Sequence, residues 1–115
     1  MDNKVQEKIS QIQLVQHNME NFASQRQQLQ IQETEIETAL NEIKNDSSTY
    51  KIIGNIMIKT DSSTLKKDLE EKKELLTIRI STIEKQEDKL REQFENLQKE
   101  VMSELEKSKK KSKAE

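Results

Sequence analysis

The chain has 115 residues, of which 37% are charged, 30% hydrophobic and 3% aromatic, with one Gly, no Pro, no Cys and a formal net charge of -2. Apolar side chains this sparse cannot fill a single compact core, so burial has to come from paired helices or from partner chains. The near-neutral charge balance supplies no global basic field for nucleic acid or membrane, and without cysteine there is neither a disulfide framework nor thiolate chemistry.

The opening stretch MDNKVQEKISQIQLVQHNME lacks the unbroken apolar core of a signal peptide, and no run approaches the roughly 20 residues of a membrane span. The protein is expected to be soluble and intracellular. From Asn3 to Lys44 no Gly or Pro interrupts the chain, and one heptad frame places Val5, Ile12, Met19, Arg26, Glu33 and Leu40 at position a. Position d holds Lys8, Val15, Phe22, Leu29, Ile36 and Ile43. Nine of these twelve sites are apolar, at the 3.5-residue average spacing that keeps a helical seam facing a partner.

Asn45 to Thr64 has a different character. Ser, Thr, Asn and Asp cluster at both ends, and the middle carries four Ile, one Tyr and one Met around the only Gly. This predicts a β-hairpin with strands at Tyr50 to Ile53 and Ile56 to Thr60, turning at Gly54 and Asn55 in a type II′ turn. Asp61 or Ser62 caps the helix that follows. The alternative is an irregular apolar loop. An isolated two-stranded hairpin is marginal in water, so strands this rich in Ile with open edges imply strands added by other subunits.

The second helix repeats the seam, with Leu69, Leu76, Ile83, Leu90 and Leu97 at d and Lys73, Ile80, Glu87, Phe94 and Val101 at a. At about 1.5 Å per residue each helix would run roughly 60 Å. Folding the chain at Gly54 and Asn55 makes opposing residue numbers sum to 109, which sets Leu40 against Leu69, Leu29 against Ile80 and Val15 against Phe94. Every such pair joins an a with a d, although the two frames are assigned independently. Four charged residues interrupt the middle of the seam, and diagonal pairs Glu33 with Lys73 and Arg26 with Glu87 would neutralise them and hold the register. The alternative is that each snorkels separately to water.

No constellation points to catalysis or metal binding. His17 falls on the outer face, Glu33, Glu35 and Glu37 alternate around the helix, and a single Gly cannot make a phosphate loop. The two chain ends carry Val5, Ile9, Ile12 and Leu14 on one helix and Leu97, Val101, Met102 and Leu105 on the other. Their seam weakens where Lys8 faces Val101 and Val5 faces Glu104. Such an end exposes apolar groups, including flexible Met, for unselective contact with other chains, or else merely frays. The last segment, Lys107 to Glu115, carries five Lys and reads as a solubilising tail or as a contact for an acidic partner.

A long helix, then YKIIGNIMIKT, then a polar cap and LKKDLEEKKELLTIRISTIEKQEDKLREQF, resembles the archaeal type of prefoldin beta subunit over almost the whole chain. The specific part is Tyr50, Lys51, Gly54, Asn55, Ile58 and Lys59, followed by Leu65, Leu69 and the stretch Glu84 to Leu90; the helices alone would be generic. The resemblance implies a mostly α fold, a long antiparallel two-helix coiled coil whose central β-hairpin assembles into a β-barrel in the oligomer. It implies one domain over 1–115, with helix 1 at 3–44, the hairpin at 50–60, helix 2 at 62–106 and a flexible Lys-rich tail at 107–115.

The implied function is that of an ATP-independent, cytoplasmic chaperone subunit, not an enzyme, with no cofactor and no metal. Two alpha and four beta subunits form a hexamer that holds unfolded polypeptides at the coiled-coil tips and passes them to a group II chaperonin. Client contacts would be Val5, Ile9, Ile12, Leu97, Val101, Met102 and Leu105. Assembly contacts would be Tyr50, Ile52, Ile53, Gly54, Asn55, Ile56, Met57 and Ile58. No nucleic acid and no membrane are expected as partners. The competing reading is a structural coiled-coil adaptor with one fixed protein partner, and a third is nucleic-acid tethering through the lysines of 107–113, which would be steeply salt dependent.

Overall fold

The computed structural model describes residues 3–43 and 48–114, with side chains as far as 110. Helix α1 spans Asn3–Glu42, strand β1 Thr49–Ile53, strand β2 Ile56–Thr60 and helix α2 Ser62–Ala114. The helix end expected at Lys44, the polar residues Asn45, Asp46 and Ser47, and Glu115 lie outside the described residues. Helix α2 does not stop at residue 106 but continues through 107–114, where the sequence suggested a flexible tail. Lys and Ala are strong helix formers, and no Gly or Pro ends the run.

The chain divides into two units, one made of Met1–Gln25 with Ile83–Glu115 and the other of Arg26–Thr82. Within Arg26–Thr82, Leu29, Leu76 and Ile80 are buried, and Arg26, Glu33, Ile36, Leu40, Leu69 and Lys73 are half-buried. Within the other unit Val5, Val15 and Val101 are buried. Lys8, Ile12, Met19 and Phe22 are half-buried there, as are Ile83, Leu90, Phe94 and Leu97. These are the a and d positions, so the covered stripe of each helix is the one that the 3.5-residue periodicity marks.

Two local devices frame the hairpin. Thr49 Oγ1 donates to the Thr60 carbonyl at 2.7 Å, tying the strands at their open end. Beyond it Asp61 caps α2: the Leu65 amide donates to the Asp61 carbonyl at 3.0 Å, and the Ser63 hydroxyl donates to Asp61 Oδ2 at 2.7 Å. The Ser63 hydroxyl, against an opposing effect of desolvation, and then the Ser63 amide, the Thr64 hydroxyl and the Ser62 amide hold the Asp61 carboxyl below its ordinary range. A carboxylate that accepts several such bonds is favoured in its charged form.

Candidate functional site

The two strands pair antiparallel in the register Thr49 with Thr60, Tyr50 with Lys59, Lys51 with Ile58, Ile52 with Met57 and Ile53 with Ile56. Each pair sums to 109, the value at which the helical seams match a to d. Gly54 has φ of +61°, and no other described residue has positive φ, so Asn55 excludes type I′ and the turn takes the type II′ form expected from the sequence. A Cβ at Gly54 would meet nothing within 4 Å, so the position needs glycine for its backbone conformation and not for space.

Directly paired residues share a face of the sheet. One face therefore carries Tyr50, Ile52, Met57 and Lys59, and the other Lys51, Ile53, Ile56 and Ile58. All eight side chains are exposed, Ile52 by 68% and Met57 by 64%. Each edge of a two-stranded sheet also presents a row of backbone N–H and C=O groups without ladder partners. The sequence-predicted assembly residues thus come together on one small sheet that is apolar on both sides.

The expected client residues are divided between seam and surface. Val5 and Val101 are covered, with 4% and 9% exposure, while Ile9, Ile12, Leu97 and Leu105 are half-buried. Met102 stands out at 61%, beside a shallow groove lined by Glu95, Gln98, Lys99, Ser103 and Glu106. Leu14 is exposed as well. The weak layers read from the sequence are closed by charge: Lys8 Nζ lies 3.6 Å from Glu100 and 3.8 Å from Glu104. The signal for this contact was present, since Lys8 and Glu104 both stand on the seam at the same end, one turn apart across it.

Near the hairpin the expected diagonal pair of Glu33 and Lys73 gives way to two other contacts. Lys73 Nζ pairs with Glu37 at 3.2 Å. Glu33 Oε2 lies 3.1 Å from the Thr77 hydroxyl, which is also 2.9 Å from the Lys73 carbonyl, so one proton is shared between two acceptors. Lys73 has a four-carbon stem that lets its ammonium leave the seam for the rim, where Glu37 flanks it. Further exposed apolar side chains, Ile31, Leu75 and Ile78, sit outside the a and d stripe.

Among the described residues no group of three or more His, Asp or Glu is placed to hold a metal, and no helix is long and apolar enough to cross a membrane. A family profile described as prefoldin subunit matches residues 6–113. The prefoldin subunit beta of Methanospirillum hungatei is 37% identical over 106 residues, covering 90% of this chain and 88% of its own. That of Archaeoglobus fulgidus is 35% identical over 103 residues, covering 87% and 89%. The crystal structure of the prefoldin beta subunit from Thermococcus strain KS-1 superposes with a TM-score of 0.84 at 32% identity, covering 90% of this chain and 94% of its own.

The chain belongs to the prefoldin subunit family. It is accordingly a chaperone subunit built on coiled-coil helices, and the relatives described above are of the beta type.

Proposed function

We propose that this chain holds unfolded polypeptides, without ATP, at the end of the coiled coil where its two termini meet, and that it passes them to a group II chaperonin. It works as one of four beta subunits joined through their hairpins to two alpha subunits in a β-barrel, in the cytoplasm. The observation that carries this reading is the hairpin itself. A two-stranded sheet with Ile52 and Met57 on one face and Ile53, Ile56 and Ile58 on the other needs strands from elsewhere to cover it. Joining several chains at their hairpins leaves their distal ends free to act together on one client. Several weak apolar contacts then add through avidity, so no deep pocket is required, selectivity stays low and release needs only competition.

The test is the native mass and composition of the assembly recovered through this chain, followed by its ability to suppress aggregation of citrate synthase diluted from guanidinium. Four copies with two of a longer coiled-coil subunit, and suppression of aggregation, are expected. Removing Met1 to Ile12 together with the chain beyond Val101 is expected to leave the assembly intact and abolish holding. Full holding after that truncation, or recovery with one fixed partner and no affinity for denatured protein, would overturn the reading in favour of an adaptor.

A further inference from the structure

Two of the apolar residues expected to hold a client, Val5 and Val101, are not available in the closed coiled coil. Val5 belongs to the first turn of α1, where a helix has no preceding turn to shield it, yet it is 4% exposed. Val101 on α2 is 9% exposed. In the layer of Val101 stands Lys8, at a d position that ordinarily takes a leucine. Its side chain is only 26% exposed, and its ammonium reaches both Glu100 and Glu104 of the facing helix. One cation thus spans two carboxylates one helical turn apart, across the layers that contain Val5 and Val101.

We infer that Lys8 is a clasp on the client-holding end: its ion pairs to Glu100 and Glu104 keep the terminal layers shut over Val5 and Val101, and client binds when they part. This deepens the proposed function and rests on it. A charged clasp suits the task better than an apolar layer would. A leucine at residue 8 would add a buried contact and close the end firmly, whereas two partly exposed ion pairs contribute little and weaken with salt. Helix ends open at low cost in free energy, so a small bias sets how often the holding surface is presented. Apparent affinity for client scales with that open fraction.

The clasp gives substitutions at residue 8 a sign opposite to that of a permanently sticky tip. If the tip is always open, Lys8→Leu adds apolar surface and improves holding, while Lys8→Glu adds charge and impairs it. If Lys8 is a clasp, Lys8→Leu shuts the end and impairs holding, while Lys8→Glu is repelled by Glu100 and Glu104, opens the end and improves it. The measurement is the concentration of the full-length assembly that half-suppresses aggregation of guanidinium-denatured citrate synthase, at low and at high salt. It is paired with amide hydrogen exchange over residues 8–14 and 97–105 without client.

The expected result is about a threefold lower half-suppressing concentration and faster exchange for Lys8→Glu, with both shifts reversed for Lys8→Leu. Adding Glu100→Lys and Glu104→Lys to Lys8→Glu is expected to restore slow exchange. Better holding by Lys8→Leu, or exchange that neither substitution moves, would overturn the clasp. An unsubstituted assembly that holds no citrate synthase would overturn the proposed function instead, and the exchange comparison would still decide the clasp.

Discussion

Lys73 reaches out of the seam to pair with Glu37 at 3.2 Å, leaving Glu33 to the Thr77 hydroxyl. Both members of the ion pair are substantially exposed, at 40% and 48%, so the contact is worth only about 0.3–1 kcal/mol. Lys73→Glu is expected to lower the melting temperature, and Glu37→Lys in the same chain to recover part of the loss. A double-mutant cycle of thermal melts checks it; purely additive losses would show that the pair has no coupling.

The seam itself carries far more. Leu29 and Leu76 are buried, so Leu29→Ala or Leu76→Ala is expected to cost about 2–4 kcal/mol through lost burial and a residual cavity. Ile31, two residues from Leu29 and exposed, is expected to tolerate Ala within about 0.5 kcal/mol. Urea denaturation midpoints of the three variants provide the comparison, and equal losses at 29 and 31 would contradict the seam.

Gly54 holds φ of +61° with open space around its missing Cβ. Gly54→Ala is therefore expected to cost about 1–2 kcal/mol in backbone conformation alone, and Gly54→Asn no less, since the first central position of a type II′ turn lies outside the left-handed helical region that Asn tolerates. Because the hairpin is the proposed assembly element, the loss should appear as dissociation at a higher subunit concentration. Native mass spectra over a dilution series would read it.

Asp61 links pH to the start of α2. Its carboxyl is held low by the Ser63 hydroxyl and neighbouring amides, so its stabilising effect is fully present above the unfolded aspartate's ordinary value. It fades as pH falls below that value and is gone once pH passes below the depressed folded one. Asp61→Asn keeps a side-chain oxygen to cap the helix but does not titrate there. The difference in melting temperature between the two chains is expected to shrink on acidification, and a difference independent of pH would remove Asp61 from the acid response.

What the sequence by itself determined is the periodic part of this protein. Val15, Leu29, Leu76 and Ile80 could be placed on covered stripes because a 3.5-residue repeat encodes which side of a helix is shielded, whatever shields it. Gly54 between two Ile-rich runs likewise specifies a two-residue hairpin, since few residues accept its backbone conformation. Only the tertiary structure decided which charges meet. Lys8 and Lys73 have long stems within reach of several carboxylates of nearly equal Coulomb attraction, and the packed helices place Glu100 and Glu104 beside one and Glu37 beside the other. Helix pairing also covers Val5 and Val101, residues that the sequence placed at an open end, because burial there comes from residues about ninety positions apart in the chain and not from any local pattern.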